Sequence, residues 1–577
     1  MKILLAAINA KYIHSNLAVY SLKSFAKEYE EHISLAEYTI NHRTDYILQE
    51  IYRQKPDVLC FSCYIWNFSC VQELIPDLHR LLPDMAIWAG GPEVSYDAKG
   101  FLSEYPMVTG VMRGEGEGTF RELCGYYLGT GAPSLEQIPG LVFRTPAHRL
   151  EQTPEREILP MDELPFCYEH PEDFEHRIIY YETSRGCPFS CSYCLSSVEK
   201  KLRFRSFSLV KQELQFFLDH QVPQVKFVDR TFNCSHRHAM DIWQYLKDHD
   251  NGKTNFHFEI AADLLTEEEL ELIASMRPGL IQLEIGVQST HEPTLREICR
   301  TTNMNRLEQA VRALGQAGNI HQHLDLIAGL PEEDFRTFGE SFCQVYRWKP
   351  QQLQLGFLKV LKGSPLGENR EKYGLLYREH PPYEVLATNW ISYEEILDLK
   401  LVEEMLEVYY NSGQFEMTIK VLELMRENPM ELYLELGKFY EQRGLLAVSH
   451  SRMRRCELLL EFAEEQDGEH AELYQETLTF DLYYRENCRT RPRWAKERPV
   501  CRELTRKYCK KGKMSHLEPF WYDMEVILKN RSLTAYPPRT PKGQLWLFSY
   551  EERNPLSRQA GVRKLPEDAL LNNTEEL

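Results

Sequence analysis

The sequence predicts an α/β protein in three parts: an N-terminal doubly wound parallel sheet, a central partial (β/α)6 barrel and a mainly helical C-terminal domain. Three observations carry that prediction. Short apolar runs alternate with stretches of helical period through the first two-thirds of the chain, the rhythm of parallel sheets with crossover helices. Prolines at Pro154, Pro160, Pro165 and Pro171 break that rhythm once. Beyond Pro382 the strand signals give way to helical spacing. The expected divisions are 1–150, a linker over 151–175, a barrel over 176–375 and a C-terminal domain over 376–577.

In the first part, Lys2–Ile8, Asp57–Tyr64 and Ala86–Ala89 read as buried strands, with helices over Leu17–Tyr29 and Val71–Leu82. Ligands of such sheets sit beyond the strand C-termini, which here means Ser62 and Gly90-Gly91-Pro92-Glu93. In the second part the strands are Arg177–Thr183, Val225–Asp229, Phe256–Ala261, Leu280–Gly286, His323–Ala328 and Gln354–Val360. Six strands with helices between them predict a partial or complete barrel. In the third part Ser392-Tyr-Glu-Glu395 reads as a capping box. Ile396, Leu399, Val402, Leu406 and Tyr409 then recur at helical spacing, and Gln544–Tyr550 reads as one late strand.

Composition narrows the function. The 577 residues carry 67 Lys and Arg against 86 Asp and Glu, a formal charge of 67 − 86 = −19. A dedicated nucleic-acid binder should be basic, so a small-molecule substrate is expected over nucleic acid. No apolar run has the length of a membrane span, and the N-terminus lacks the pattern of a signal peptide. The expected location is cytoplasmic. Fifteen cysteines in such a chain point to metal or redox chemistry over a disulfide framework.

The chemistry concentrates in Thr183-Ser-Arg-Gly-Cys187-Pro-Phe-Ser-Cys191-Ser-Tyr-Cys194, one tight loop directly after a strand. Thiolates at this spacing can converge on one small iron–sulfur core. Three ligands for a four-iron cluster leave one iron open, and an open site does chemistry. A zinc site would ask for a fourth ligand and paired CxxC elements.

The pattern CxxxCxΦC, with Tyr193 as the aromatic, resembles the signature of radical S-adenosylmethionine (SAM) enzymes. The resemblance implies a [4Fe–4S] cluster on Cys187, Cys191 and Cys194, its free iron chelated by SAM. Reduction then cleaves the sulfonium to methionine and a 5′-deoxyadenosyl radical in an enclosed lumen. Phe227-Val-Asp229 resembles the second-strand segment, which makes Asp229 a candidate for the SAM amino group. Leu283-Glu284-Ile-Gly286-Val-Gln288-Ser289 resembles the fourth-strand LExGxQS segment, with Glu284 and Gln288 on one lumen-facing side. Asp325-Leu-Ile-Ala-Gly329-Leu-Pro331 and Val360-Leu-Lys-Gly363-Ser-Pro365 resemble the segments that follow.

The N-terminal sheet, its Gly90-Gly91-Pro92-Glu93 loop and Arg113-Gly-Glu115-Gly-Glu117 resemble the Rossmann-like cobalamin-binding domain fused to many radical SAM enzymes. Ser62, Gly90, Gly91 and Glu115 are then the expected cobalamin contacts. The first loop, Asn9-Ala-Lys-Tyr-Ile-His14, lacks the Asp-x-His-x-x-Gly arrangement that supplies a lower cobalt ligand, so His14 reads as a surface or helix-starting residue. Cys60 and Cys63 read as buried core thiols, which argues against the second cluster of a methylthiotransferase.

The tail resembles a domain of unknown function found in a subgroup of these proteins. Its segment Cys488–Lys513 holds eleven Lys and Arg against two Glu and is either a solvated face or a docking site. Cys488, Cys501 and Cys509 within it match no cluster spacing. The resemblance implies cobalamin-dependent methyl transfer to an unactivated carbon, with an electron donor such as flavodoxin or ferredoxin. Cyclisation, rearrangement or oxidation without methyl transfer, RNA modification and a non-catalytic sensor are the alternatives.

Overall fold

The structure is a computed structural model that describes residues 1–566 apart from 132, 199, 489, 497–499, 501 and 510–513. Cys501 and much of the basic segment therefore lie outside the described residues.

The first domain is one seven-stranded sheet: β1 (Ile3–Asn9), β2 (Ile33–Thr39), β3 (Val58–Ser62), β4 (Ala86–Gly90), β5 (Gly110–Met112), β6 (Leu141–Arg144) and β7 (Leu150–Gln152), in the order β2-β1-β3-β4-β5-β6-β7. The first five strands run parallel and the last two pair antiparallel. Leu4, Ala6 and Ile8 enter one apolar cluster, while Ile3, Leu5 and Ala7 enter another. A strand that buries both faces in this way needs helices on each side. Cys60 and Cys63 are buried in opposite clusters, as the alternation of a strand requires.

The barrel strands are β8 (Ile179–Tyr181), then β11 (Gln224–Phe227), β12 (Asn255–Ile260), β13 (Ile281–Gln288), β14 (His321–Ala328) and β15 (Gln352–Phe357), all parallel in that spatial order. Between β8 and β11 a small ladder joins β9 (Ser184–Arg185) and β10 (Arg203–Phe204) across the cysteine loop. The six strands form an open barrel with β8 and β15 at its edges. Along β13, Leu283, Ile285 and Val287 are buried outward, and Glu284, Gly286 and Gln288 alternate inward.

The proline-rich connection is packed, not loose. Tyr168 is buried and donates to the Tyr180 carbonyl, and Arg205 donates to the carbonyls of Met161 (2.6 Å) and Leu164 (2.9 Å). After the short hairpin β16 (Leu376–Tyr377) and β17 (Val385–Ala387), the chain becomes helical at Tyr393–Leu406. Its capping box forms as expected: Ser392 accepts from Glu395 N–H at 3.3 Å and Glu395 accepts from Ser392 N–H at 2.8 Å. One apolar cluster runs from the barrel into this domain. The late region holds more strand than the single Gln544–Tyr550 run. An antiparallel sheet forms from β18 (Ser515–Tyr522), β19 (Arg539–Arg553) and β20 (Ala560–Lys564). Much of this sheet carries polar and charged residues, among them Arg539, Lys542, Glu551, Glu552 and Arg553 on β19, so it gives little local strand signal.

Candidate functional site

The cysteine loop is tethered at its backbone. Ser192 N–H donates to the Ile298 carbonyl at 2.9 Å, and the Ser192 carbonyl accepts from Leu366 N–H at 2.8 Å. Gly186 has φ +88°, and a Cβ there would stand 2.6 Å from the Lys201 carbonyl oxygen. Only glycine lets the two arms of the loop close. Cys187 lies 3.8 Å from the Thr231 hydroxyl, and the Arg300 guanidinium lies 3.7 Å from Cys191 Sγ. Arg300 also reaches Tyr193 OH and donates to the Gly286 carbonyl, which joins the cysteine loop to β13. Burial pushes the Cys191 thiol up, and the Arg300 charge works against it.

Among the described residues no three His, Cys, Asp or Glu side chains converge on a single metal ion. A cubane spreads its thiolates over separate irons, wider apart than the ligands of one ion. Three loop cysteines with a permanent cation beside them fit a four-iron cluster.

Asp229 is fully buried and both its oxygens have partners within the chain. It accepts from Thr183 N–H (3.0 Å), Thr183 Oγ1 (2.6 Å) and Ser184 Oγ (2.6 Å). Asp229 thus fixes the strand end that leads into the cysteine loop. Glu284 and Gln288 face the lumen together. Glu284 lies 3.0 Å from Lys226 Nζ and 3.0 Å from His257 Nε2. Burial raises its pKa, but the nearby His257 imidazole and the Lys226 charge outweigh burial and bring it to about 2. Gln288 adopts φ +70° at an irregularity in the β13–β14 register, and its Oε1 is buried without a partner. A strained residue with an orphaned acceptor at a strand end marks a place where a ligand is received. Ser192 Oγ is a second orphan of this kind on the cysteine loop. The residues present fit SAM there.

At the cobalamin-type face, Asn67 ties two strand ends by donating to the Ile8 carbonyl (3.0 Å) and the Ser62 carbonyl (2.8 Å). Ser62 ends β3, and the Gly90 carbonyl accepts from Cys63 N–H at 2.7 Å. Gly91 has φ +106° and packs directly on the Cys63 backbone, where a Cβ would clash. Gly90 has ordinary space around it, and at Gly114 a Cβ would enter open space. The side chains of Tyr12 and Trp66 remain exposed beside this strand-end surface, with Trp66 stacked on Tyr64 at 4.4 Å. An open backbone and exposed rings fit a flat, partly apolar cofactor.

Glu115 carries partners from the barrel: Arg203, and Arg185 at 3.3 Å. Glu117 accepts from Arg185 at 2.6 Å and from Ser21 at 2.9 Å. Arg185 reaches Glu182 as well, at 2.9 Å. The Gly-Glu-Gly-Glu loop therefore clamps the first domain to the ladder beside Cys187. His14 bridges the domains too, its Nδ1 lying 2.6 Å from Tyr180 OH. Sequence reasoning missed Arg300, Lys226 and His257. Arg300 lies 109 residues from Cys191, and no local pattern singles it out.

Fold and site together define a radical SAM protein with an N-terminal B12-binding domain. Residues 3–124 match the B12 binding domain, residues 181–342 the Radical SAM superfamily and residues 371–532 a protein family of unknown function, DUF4080. The cofactors this architecture implies are a [4Fe–4S] cluster, SAM and cobalamin.

The chain is 28% identical over 360 residues to the cobalamin-dependent radical SAM methyltransferase TokK of Streptomyces tokunonensis, covering 57% of this chain and 51% of that protein. It is 23% identical over 313 residues to the hopanoid C-3 methylase of Methylococcus capsulatus, covering 53% and 59%. The chain thus spans about half the length of the curated relatives it matches. Among solved structures it resembles the cobalamin-dependent SAM radical enzyme OxsB with aqua-cobalamin and SAM bound, at TM-score 0.57 and 18% identity over 83% of this chain and 78% of that one. It also resembles the methyltransferase TsrM from Kitasatospora setae with cobalamin and [4Fe–4S] cluster bound, at TM-score 0.55 and 16% identity over 67% and 82%. At these identities the likeness establishes the fold.

Proposed function

We propose that this chain is a cobalamin-dependent radical SAM enzyme that transfers a methyl group to an unactivated carbon of a small molecule. The observation that carries the reading is the clamp between Arg185, Glu115 and Glu117. It fixes the strand-end face of the B12-binding domain against the barrel beside the three-cysteine loop, so two cofactors open onto one enclosed space. When bound, the cluster with SAM supplies a carbon radical and cobalamin supplies the methyl group.

The chain's own residues do the rest. Cys187, Cys191 and Cys194 hold the cluster, with Arg300 beside Cys191. Gln288, Glu284 and the Ser192 hydroxyl line the SAM side, and Asp229 holds the entering strand. The first domain's strand-end surface at Ser62, Gly90 and Gly91 takes cobalamin, and the closed interface keeps water from the radical. A flavodoxin- or ferredoxin-type protein supplies the electron.

A small-molecule substrate is favoured over RNA by the net charge of −19, and two cations of the basic segment are already paired within the chain. Arg491 is spent on Glu518, and Lys496 lies 3.2 Å from Glu472. No helix among the described residues is long and apolar enough to cross a membrane. The test is anoxic product analysis with reductant and candidate substrates. S-adenosylhomocysteine formed together with 5′-deoxyadenosine supports methyl transfer, and 5′-deoxyadenosine alone replaces it with cyclisation, rearrangement or oxidation.

A further inference from the structure

The open side of the barrel lies between its edge strands β8 and β15, and the B12-binding domain spans it. At one edge Ile178 N–H donates to the Ile13 carbonyl at 2.7 Å and Ser15 Oγ donates to the Ile178 carbonyl at 2.8 Å. Beyond the other edge Tyr383 OH donates to Glu93 at 2.9 Å, and Gly363 lies against the Tyr96 ring. Strands β12 and β13 occupy the middle of the sheet and so form the wall facing that domain. Whatever reacts between the two cofactors meets this wall.

The wall is ionic. Glu284 pairs with Lys226 and His257, each at 3.0 Å, and His323 lies 3.0 Å from Asp325. Glu259 stands in register beside Glu284 on the neighbouring strand. Its carboxylate makes no hydrogen bond among the described residues. Its nearest cation is Lys226 at 3.8 Å, and that ammonium already serves Glu284. About a third of its side-chain surface, 32%, stays accessible. Burial, and then the Glu284 charge, push its pKa up to about 7. A carboxylate with accessible oxygens and no hydrogen-bond donor of its own can take one from a ligand.

We propose that Glu259, with Glu284 beside it, receives a protonated nitrogen group of the substrate. The inference rests on the proposed placement of the substrate in this lumen and names its chemical class. Three carboxylates, Glu259, Glu284 and Asp325, face Lys226 and the two histidines, with Arg230 near Glu259 and Glu182 already paired with Arg185. Lys226 and His257 already serve Glu284, and His323 serves Asp325, so Glu259 is the carboxylate left without a close partner of its own and the one a substrate cation would meet. SAM is itself a cation and Glu284 lines its side of the lumen, so SAM affinity in a Glu259 variant separates a cofactor contact from a substrate contact. Glu259 sits level with Glu284, four residues short of Gln288 along the neighbouring strand, roughly 13 Å of rise.

The test is ligand-observed NMR on the full chain loaded with cluster, cobalamin and SAM. n-Butylammonium is compared with n-butanol, a neutral molecule of similar shape. Saturable binding of the ammonium, with the alcohol at least about tenfold weaker, is expected in the unmodified protein, a comparison that needs no variant. Glu259→Gln should weaken the ammonium roughly ten- to hundredfold and leave SAM affinity and cluster absorbance unchanged, while Glu259→Asp should retain the preference. Absence of ammonium binding, equal binding of the alcohol, or a preference that survives Glu259→Gln would overturn the proposal. Loss of SAM affinity in Glu259→Gln would overturn it as well, by making Glu259 a cofactor contact. Because the readout is binding, these outcomes stay distinguishable even in a protein that never transfers methyl groups.

Discussion

Asn411 closes the edge of the barrel by pairing with both backbone groups of Leu353. Its Oδ1 accepts from Leu353 N–H at 2.9 Å, and its Nδ2 donates to the Leu353 carbonyl at 2.9 Å. Leu353 lies on β15, whose outer side would otherwise offer a free strand edge. Asn411 ends a π-helical turn, Glu407–Asn411, after the helix Tyr393–Leu406. The extra residue in such a turn redirects side chains. The C-terminal domain thus covers this strand edge at Leu353. Asn411→Ala should lower unfolding stability by about 1–3 kcal/mol, the scale of leaving buried backbone groups unmet. Denaturant titration checks this. Asn411→Asp, which can accept but cannot donate, should be no better than the alanine variant.

Replacing Cys187, Cys191 and Cys194 together with alanine should abolish both the iron–sulfur absorbance and reductive SAM cleavage, because no other cysteine loop among the described residues offers three ligands. The melting midpoint should fall little, since the loop backbone is held through Ser192, Ile298 and Leu366. Full SAM cleavage in that variant would remove the radical reading altogether.

These two sites differ in how far the sequence announces them. The cysteine loop is local, so its spacing alone marks it. Most barrel strands alternate apolar with polar residues, and all six read to within about three residues of their ends. Strand β2 escaped because Ile33–Thr39 follows the charged turn Lys27–His32 and buries its residues without a regular alternation. Asn411 and Leu353 lie 58 residues apart, and a lone asparagine before Ser412-Gly413 reads as a turn. Glu115 and Asp229 sit in motifs that marked the right neighbourhood. What those motifs could not supply was the partner, because Arg203 and Thr183 reach them only through the folded chain.

Glu284→Ala should keep the cluster and weaken SAM binding by roughly 1–3 kcal/mol. Calorimetric titration of the reconstituted protein measures it. The change also releases Lys226 from its 3.0 Å partner, leaving Glu259 as the nearest carboxylate. Glu284→Gln, which keeps the shape and one acceptor, separates the two effects. If SAM affinity is unchanged in both variants, Glu284 serves the internal ion pairs alone.

Glu333 predicts a pH dependence of stability. It is buried, Ser289 Oγ (2.6 Å) and Ser341 Oγ (3.0 Å) both donate to its Oε1, and its Oε2 is buried without a partner. Burial raises its pKa from 4.5 to about 7, against the two serine hydrogen bonds. Folding therefore favours the protonated form. Its contribution is complete below the unfolded value of 4.5 and is lost as pH rises through about 7. Glu333→Gln cannot ionise, so its stability should fall less than that of the unmodified protein between about pH 5 and about pH 8, by up to roughly 3 kcal/mol. Parallel pH profiles for the two proteins would show that Glu333 stays charged throughout.

Cobalamin should bind with its own base displaced and with no histidine coordinating cobalt from below. His14 is the histidine that follows the first strand end, and its Nδ1 is held 2.6 Å from Tyr180 OH on the first barrel strand. Burial lowers its pKa, and the charges of Lys11 and Lys226 lower it further. A metal-ligating histidine usually has a carboxylate behind it to fix the tautomer and raise its basicity. Here the group behind it is a phenol, with Lys226 in range, so the imidazole is a poor donor. A cobalt without a strong lower ligand is easier to reduce, which suits methyl capture from SAM. Electron paramagnetic resonance of the protein loaded with cob(II)alamin decides it. The expected spectrum has no three-line nitrogen splitting and does not change in His14→Ala or Tyr180→Phe. A splitting that vanishes in His14→Ala would make His14 the lower ligand and Tyr180 the group that orients it.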